Sequence, residues 1–427
     1  MSGVHDSIAF QALAALQDEE RSIFMPYLED IKKSSWYPDI FADRSMSSEA
    51  KAAVDPEADR YIYPEPPESD DYRKIERLTE EEEKRGVAPL RAVYLIEYYM
   101  KNAVHCLRAG DARAAAKFCA VYSHVIADMA EPIHAVNPSI VDLVVPPPPE
   151  LVGLELHANV EGLCAKVDIT GYRPRTLGSS VPRAVMVAYA GLDEARRTGA
   201  AQTVKIVQAL YAGDRDRATA FSQKAQNESA RKTTDFMHTV VQLAQAEDSN
   251  GTDALDLCSY PYARADVDML YRYRPLVDVS IVPFSGGKAL PLCLTEKDGA
   301  GTEHVHGLSV VPFLGPPFSP DCHRSAEVEY YLVPSAYKRF RARVGANPLL
   351  DKGKLKIRFT VTGDEKELFQ SSVMSLNHPP AEIDVNIENH HWLRLSTLYA
   401  TNPTPEDAQG AKCSWALHGV WAEPRLE

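Results

Sequence analysis

Up to about Gln245, apolar and polar residues alternate with the three- and four-residue spacing of amphipathic helices. Gly110 followed by Asp111 predicts the end of one helix and the cap of the next, because glycine accepts a left-handed conformation and aspartate accepts backbone N–H bonds. This part of the chain is therefore predicted to be all-helical. The segments with the helical spacing are IAFQALAAL, PLRAVYLIEYYMKNAVHCL, ARAAAKFCAVYSHVIADM and PRAVMVAYAGLDEARR.

Two stretches interrupt the helical pattern. Between Asp43 and Gly86 the chain turns polar, with PEPPESDD and TEEEEKRG, which predicts an excursion over the surface. Residues 146–149 are four consecutive prolines. Because proline lacks a backbone N–H, this run predicts a stiff connector between helices.

From about Arg272 onward, apolar and polar residues alternate one by one in short segments bounded by Gly, Pro and Asn. Many short strands without intervening helices predict a β-sandwich or jelly roll. We expect a multidomain α and β protein, with an all-α domain at residues 1–250 and a β-sandwich at residues 268–427. The alternating segments are LVDVSIVPF, GLSVVPFL, AEVEYYLV, KLKIRFTVTG, AEIDVNIE and HWLRLSTLYA.

Length and charge narrow the class of protein. A chain of 427 residues is too long for one ordinary core, in agreement with two domains. The formal net charge of -14 argues against stable binding of duplex nucleic acid through a basic surface. A phosphate-containing substrate is still compatible with it, because bound cations would dominate the charge of a local site.

The spacing of the cysteines and the hydropathy of the chain exclude further classes of protein. The seven cysteines are scattered and lack CxxC spacing, so they predict neither a disulfide scaffold nor a thiolate zinc site, and any pairing stays open. No run is long and apolar enough for a transmembrane segment, and the start MSGVHDSIAF lacks the pattern of a signal peptide. The protein is expected to be secreted or periplasmic if a signal peptide has been removed, and otherwise cytoplasmic.

The segment SHVIADMAEPIH carries the first candidate chemistry. His124 and Asp128 lie four residues apart, so both side chains point at one spot beside a helix. The proline of EPIH disturbs the next turn and re-aims His134. In LHANVEGL, His157 and Glu161 repeat the spacing of four.

These pairs have two explanations. A single His–carboxylate pair is equally consistent with a local salt bridge on a helix. Two such pairs and an offset third histidine, all in otherwise apolar helices, favour a metal site with more than one ion. Imidazole and carboxylate donors without clustered cysteines indicate zinc or a similar borderline ion.

With these motifs the helical half resembles the zinc-dependent phospholipase C and fungal single-strand-nuclease superfamily. That family is all-helical and holds a three-zinc cluster that hydrolyses phosphate esters. Its central signature is a helix with His, then Asp four residues later, then His six later, as at His124, Asp128 and His134. A second helix has His and an acidic residue four later, as at His157 and Glu161.

Two further matches lie near the amino terminus. The family begins with Trp-Gly and has a histidine close by, and SGVH presents Gly3 and His5 here. A Pro-Asp pair supplies another carboxylate in the family, matched by Pro38 and Asp39 in SSWYPDIF. The resemblance covers residues 3–245.

The sequence departs from the family at two ligand positions. The family's amino-terminal Trp binds one zinc, whereas this chain begins Met-Ser. The family also has a histidine after the Pro-Asp pair, and Arg60, Tyr61 or Tyr63 stands in that place here. His105 lies on an amphipathic helix and is interpreted as a packing residue rather than a substitute ligand. One zinc is therefore expected to be weak or missing.

The resemblance implies one to three zinc ions. His134, His157 and Glu161 would hold one ion and leave a position for water. Asp128 would bridge two others. The implied metal ligands are His5, Asp39, His124, Asp128, His134, His157 and Glu161.

Asp39 has a second implied role. It would share one bridged ion with His124, while His5 would bind the other. It could also accept the proton of the attacking water as the catalytic base. A turn carboxylate following Pro38 is the structural alternative for this residue.

The second half resembles the NPCBM type of carbohydrate-binding module, which is often attached to glycan-active enzymes. Trp392, Trp415 and Trp421 lie in strand-like segments, where buried core is favoured over an exposed sugar-stacking platform. In HVHG, His304 and His306 are interpreted as one exposed face without a metal. The matching segments are EVEYYLVPSAYKRFRARVGANP, FTVTGDEKELFQSSVM, WLRLSTLYA and WAEPRL.

These features together predict a zinc-dependent phosphoric ester hydrolase, a phosphodiesterase of phospholipase C or nuclease type, with an attached carbohydrate-binding-like module. Its expected partners are a phosphoester substrate, either a phospholipid head group or nucleic acid, and a glycan. The alternative is a non-catalytic, metal-stabilised binding protein with a degraded zinc cluster that recognises a glycan or a protein. A metal-assisted hydrolase for a non-phosphate substrate is a third hypothesis.

Overall fold

The computed structural model contains a helical unit that ends at residue 251 and a strand-rich unit that begins at residue 252. The predicted order of an α region followed by a β-sandwich is confirmed. None of the helices in the described ranges has the length and apolar character needed to cross a membrane. The structure describes residues 4–42, 47–62, 90–136, 138–163, 166–246, 254–262, 264–266, 276–281, 289–296, 301–310, 325–349, 356–376, 378–400 and 419–427.

The helices of the first unit follow the predicted apolar spacing. Gly110 has a φ of 81° and ends one helix, and the Asp111 carboxylate caps the next by accepting the N–H of Ala114. The described helices are α1 (Val4–Ala14), α2 (Asp18–Phe24), α3 (Leu28–Ser34), α4 (Tyr37–Ala42), α5 (Ser48–Val54), α6 (Asp59–Ile62), α7 (Leu90–Arg108), α8 (Ala112–Ala130), α9 (Pro138–Val144), α10 (Leu156–Glu161), α11 (Val181–Tyr211) and α12 (Arg215–Gln245).

Helix α8 is buried on most of its sides. Its Tyr122 ring stacks on the Phe236 ring of α12, with ring centroids 3.8 Å apart. Its last residue, Ala130, meets α11 at Gly199, where an added Cβ would lie 2.0 Å from the Ala130 carbonyl oxygen. Only glycine permits this approach, so the contact fixes where α8 ends.

The chain leaves α8 in a short turn that contains Pro132. The Thr203 hydroxyl of α11 donates a hydrogen bond of 2.7 Å to the Pro132 carbonyl. Within the turn, the His134 N–H donates to the Glu131 carbonyl at 3.0 Å. The turn at Pro132, where the helix was predicted to end, is therefore held against α11 by this hydrogen bond. The contact sets the direction of the side chains that follow α8.

The two interrupting stretches are only partly as predicted. Within the polar stretch, Ala58 and Tyr61 are buried, so the described part is not a plain surface excursion. Residues 63–86 lie outside the described residues. Among the four prolines, Pro149 begins a 3-10 turn at Pro149–Leu151.

The second unit is built from antiparallel strands. One sheet has the order β13-β10-β15-β8-β3, with β1 also pairing with β15, and the other has the order β12-β11-β14-β9-β2. The described strands are β1 (Leu255–Asp256), β2 (Arg264–Asp266), β3 (Leu276–Val277), β4 (Val279–Ile281), β5 (Ala289–Pro291), β6 (Cys293–Thr295), β7 (Thr302–His304), β8 (Gly307–Val310), β9 (Ser325–Tyr331), β10 (Arg339–Ala346), β11 (Ile357–Gly363), β12 (Lys366–Gln370), β13 (Ala381–Asn386), β14 (Trp392–Tyr399) and β15 (Gly419–Leu426).

The core of the second unit lies between the two large sheets. Trp421 of β15 is fully buried and meets Phe359 of β11 edge to face, with centroids 5.4 Å apart. Its indole N–H donates to the Thr397 hydroxyl of β14 at 3.2 Å. Trp392 is also buried, so the core interpretation holds for both residues, while Trp415 lies outside the described residues.

The domain boundaries of 1–250 and 268–427 stay a prediction. Strands β1 and β2 precede residue 268, and they pair with β15 and β9 of the large sheets. The linker expected between residues 250 and 268 therefore contributes to the sandwich.

Candidate metal centre

Four of the predicted ligands meet beside the carboxyl-terminal half of α8. His124 Nε2 lies 3.2 Å from Asp128 Oδ2 and 3.4 Å from Asp39 Oδ1. His5 Nε2, from α1, lies 3.7 Å from Asp128 Oδ1 and 4.0 Å from Asp39 Oδ2. We call these four residues the inner group, because the His5 and His124 side chains are only 15% and 3% exposed.

Neighbouring protein atoms orient the inner histidines. His124 Nδ1 lies 2.8 Å from the Ser35 carbonyl oxygen, so Nδ1 carries the proton and donates it. Its Nε2 is then free to bind a metal ion. The His5 ring stacks on the His124 ring at 4.3 Å and meets the edge of Trp36 at 4.9 Å. The Trp36 indole N–H is held by Asp6 of α1 at 2.5 Å.

The other three predicted ligands form a second group near the surface. His134 Nε2 lies 2.9 Å from His157 Nε2 and 3.0 Å from Glu161 Oε1. His157 Nε2 lies 3.4 Å from the same Glu161 oxygen. We call these three residues the outer group, because their side chains are 31%, 56% and 43% exposed in the order His134, His157 and Glu161.

The spacing of donor atoms in both groups fits zinc. A tetrahedral zinc ion about 2.0–2.1 Å from each ligand atom holds those atoms roughly 3.3 Å apart. The outer group shows 2.9–3.4 Å. The inner group shows 3.2–3.4 Å around His124 and 3.7–4.0 Å around His5. His5 is therefore the more distant donor of the inner group.

The two histidines of the inner group differ in their electrostatics. Burial, together with the nearby His124, lowers the pKa of His5 to about 4, so its imidazole is neutral as a ligand must be. Burial opposes the charge on both partners of the His124–Asp128 pair, yet their mutual hydrogen bond raises the pKa of His124 and lowers that of Asp128. Burial raises the pKa of Asp39.

One cavity of about 550 Å³ is lined by all three outer residues and by three of the four inner residues, the exception being the buried His124. Its wall includes residues that the motifs did not point to: Trp36, Glu131, Gln226 and Ser229. Gln226 and Ser229 belong to a row of buried polar residues on α12 at three- and four-residue spacing, with Ser222 and Thr233. That row of polar residues at helical spacing is the signal in the sequence by which this wall of the cavity can be found.

Glu131 is the most unusual of these wall residues. It is buried where α8 ends, and its Oε1 has no hydrogen-bond partner among the described residues. Burial and the charges of Glu161 and Asp128 raise its pKa to about 8. Glu131 is therefore mostly protonated at neutral pH and adds little negative charge to the cavity.

The other residues considered as ligands lie elsewhere. His105 is exposed on α7, so its interpretation as a packing residue is wrong, and it does not line the cavity. Tyr61 is buried against Phe118, with ring centroids 4.9 Å apart. Arg60 pairs with Glu57 at 3.4 Å. Neither Arg60 nor Tyr61 lines the cavity, and Gly3 and Tyr63 lie outside the described residues.

Comparisons with known proteins match each half. Residues 321–427 match the family described as NPCBM/NEW2 domain. The CBM51-2 and INT domains of Clostridium perfringens ZmpB, solved with GlcNAc, are 18% identical, with a TM-score of 0.29 over 41% of this chain and 31% of that chain. This chain thus spans about a third of the ZmpB chain that it matches.

Two further solved structures are similar. The CBM51 of Clostridium perfringens GH95, solved with methyl-galactose, is 15% identical, with a TM-score of 0.30 over 41% of this chain and 100% of that chain. The alpha-toxin of Clostridium perfringens from avian strain SWCP is 12% identical, with a TM-score of 0.34 over 94% of this chain and 82% of that chain. No curated protein sequence matches the chain.

The chain thus resembles clostridial alpha-toxin along most of its length and the NPCBM/NEW2 family over residues 321–427. The identities are low, so these comparisons concern the fold and assign no activity. What the chain does has to be argued from its own residues.

Proposed function

We propose that the helical unit is a zinc-dependent phosphodiesterase, of phospholipase C or nuclease type, and that the strand-rich unit is a carbohydrate-binding-like module. The observation that carries the proposal is the convergence of the inner and outer groups on one cavity. Seven donors come from four separate segments of the chain, and six of them line this cavity. That is far more than a local salt bridge requires.

The charge of the cavity supports a role for bound cations. Its wall carries the carboxyl groups of Asp39, Asp128, Glu131 and Glu161, and no Lys or Arg is among its described lining residues. A phosphodiester is an anion, and the carboxylates of Asp39, Asp128 and Glu161 would repel it in the absence of cations. Cations held by the two groups would reverse the sign of the local charge and admit the substrate.

Zinc ions at these positions would supply an activated water and neutralise the charge that develops on the phosphoryl oxygens. The residues of the chain have their own tasks. Asp39 is half exposed and lines the cavity, so its carboxylate could accept the proton of an attacking water. Asp128 would share an ion with His124, since Asp128 Oδ2 lies 3.2 Å from His124 Nε2.

The surface beside the outer group favours a phospholipid over nucleic acid. The segment that leads to His157 exposes apolar side chains, including Leu143 at 82% and Val152 at 72%. Apolar side chains suit the surface of a lipid aggregate and give nothing to a nucleic-acid backbone, which requires basic residues. The exposed apolar residues of this segment are Ile140, Leu143, Val144, Val152 and Leu154.

The proposed module would bind a glycan, in line with the NPCBM/NEW2 match. Trp392 and Trp421 are buried, so neither ring is available for sugar stacking. A sugar would have to contact other side chains. Binding of this kind would localise the helical unit on a glycan-bearing surface.

The test compares zinc-loaded wild type with Asp128→Asn on bis-nitrophenyl phosphate, short-chain phosphatidylcholine and single-stranded DNA. We expect chelator-sensitive hydrolysis in the wild type and at least a 100-fold loss in the variant, since removing even an outer partner of a metal ligand costs about 10–100-fold. Asp216→Asn, at an exposed position of α12, is the matched control and should keep full activity.

Equal rates in wild type and Asp128→Asn, or none above background, would contradict the proposal. The alternative, a non-catalytic metal-stabilised binding protein, would then stand. It is favoured by the position of Arg60 and Tyr61 away from the cavity, since the histidine expected there has no substitute among the described residues. That protein would still bind zinc, so metal content without turnover would identify it.

A further inference from the structure

A separate cluster of potential metal ligands lies in the strand-rich unit. Asp256, Cys258 and His306 each offer one ligand atom, and these atoms lie within 4.8 Å of one another. No motif connects them, because His306 is 48 residues from Cys258 and was interpreted as an exposed residue without a metal. His306 is indeed exposed, and the fold places it beside the other two.

The topology of β15 explains why these residues meet. Strand β8 pairs with β15 through Ala422, and β1 pairs with it through Arg425 and Leu426. Because β10 occupies the opposite edge of β15, β8 and β1 follow each other along one edge. Between them, Glu423 has a φ of 49° and donates its N–H to the His306 carbonyl at 2.8 Å. His306 and Asp256 therefore face each other across a short gap.

A second carboxylate fixes the His306 ring. His306 Nδ1 lies 2.6 Å from Asp278 Oδ1, which also accepts the Gly307 N–H at 3.0 Å. The Asp278 N–H donates in turn to the Gly307 carbonyl at 3.0 Å. His306 Nδ1 is thus a donor to a carboxylate, the arrangement that orients many metal-binding histidines. Its Nε2 then points at Asp256 Oδ2, 2.9 Å away.

We propose that Asp256, Cys258 and His306 bind a divalent metal ion of the zinc type, with Asp278 as the residue that positions the histidine. The donors would be a carboxylate oxygen, the thiolate sulfur and Nε2. Sulfur and imidazole together select zinc over calcium or magnesium, which take oxygen ligands. With three protein donors near the surface, the fourth position is open to water.

The balance of charge supports a cation at this place. Two carboxylates flank the His306 ring, with Asp256 Oδ2 2.9 Å from Nε2 and Asp278 Oδ1 2.6 Å from Nδ1. A bound divalent ion would compensate both the thiolate and the carboxylates. The competing explanation is a protonated His306 held between Asp256 and Asp278 by two ion pairs, which needs no metal and does not involve sulfur.

The Cys258 sulfur allows a spectroscopic test that reports only on this proposed metal site. None of the inner and outer ligands of the helical unit is a cysteine, so a thiolate signal cannot come from that centre. The full chain is loaded with cobalt(II), which replaces zinc and absorbs in the near ultraviolet when a thiolate binds it. We expect this absorption in the wild type, its loss in Cys258→Ser and in His306→Asn, and its retention in Cys106→Ser, a control on α7.

A further variant tests the positioning role. Asp278 has a φ of 60°, which asparagine accepts, so Asp278→Asn keeps the backbone and removes only the charge. It should keep the cobalt–thiolate absorption and weaken metal affinity by about 10–100-fold. Circular dichroism and thermal melting identify any variant that fails to fold.

Two results would overturn the proposal. The first is the absence of cobalt–thiolate absorption in the wild type. The second is absorption that survives in folded Cys258→Ser. Either result would leave His306 as a doubly ion-paired histidine. The zinc content of the helical centre is measured on the same samples, and it should not change in any of these variants.

Discussion

Helix α8 carries two polar clusters on one face, and they are satisfied in different ways. Two turns before His124, the ammonium group of Lys117 lies 2.6 Å from Asp55 Oδ2, and both side chains are at most 10% exposed. The Tyr37 hydroxyl donates to the same carboxylate at 2.5 Å. The Lys117 cluster is therefore a buried ion pair that protein atoms complete.

The His124 cluster differs because it borders a cavity. The His5 imidazole and the Asp39 and Asp128 carboxylates line a space of about 550 Å³, and no Lys or Arg is among its described lining residues. Groups that are fully paired inside the protein contribute to stability, whereas convergent donors beside a cavity are suited to an added ion. A buried charged residue on α8 therefore indicates a metal site only when the ligand atoms of its cluster border open space.

The largest expected effect concerns the Lys117 cluster. Asp55→Asn leaves the Lys117 ammonium buried without a counter-charge, so the free energy of unfolding should fall by about 3 kcal/mol. Zinc content per chain should stay at the wild-type value. Urea unfolding and metal analysis check both. As a control, Asp30→Asn breaks the pair of Asp30 with Arg113, whose side chain on α8 is 62% exposed, and should cost less than about 1 kcal/mol. A loss of zinc in Asp55→Asn would abolish the distinction between the two clusters.

For the outer group we expect a loss of zinc without a loss of stability in the zinc-free protein. His157→Ala should remove at least one zinc ion, and it should lower the Tm of the zinc-loaded protein, because ligand at 100 times its Kd contributes about 2.7 kcal/mol. In the zinc-free protein the variant should match the wild type, since the His157 side chain is 56% exposed. Unchanged zinc content in His157→Ala would defeat the ligand assignment.

The smallest expected effect is a loss of folding stability at acidic pH. Burial works to raise the pKa of Asp55, but hydrogen bonds from Lys117 and Tyr37 outweigh it and lower the pKa from 3.8 to about 2. Because the folded-state pKa lies below the unfolded value, the stabilisation is complete above about pH 4 and is lost as the pH falls toward 2. Urea unfolding of the zinc-free protein measures this loss. Asp55→Asn should show a shallower decline, and identical slopes would contradict the role of the ion pair.

Much of the secondary structure and both His–carboxylate pairs were accessible from the sequence. The spacing of four in His124–Asp128 and His157–Glu161 is a local property, because residues one helical turn apart must lie on the same face. The Gly110–Asp111 cap and the alternating strands are local in the same sense, since neighbouring backbone atoms decide them. The order of an all-helical region and a β-sandwich follows from these patterns.

Only the tertiary structure decided which distant groups meet. His5 and Asp39 reach Asp128 because α1 and α4 pack beside α8, and Glu131 enters the cavity because Gly199 lets α11 press against the end of α8. The pairing of β8 and β1 with β15 likewise brought Asp256 to His306. Periodicity is set by neighbours along the chain and can be read from it. Convergence depends on contacts between segments far apart in sequence, and these exist only once the chain has packed.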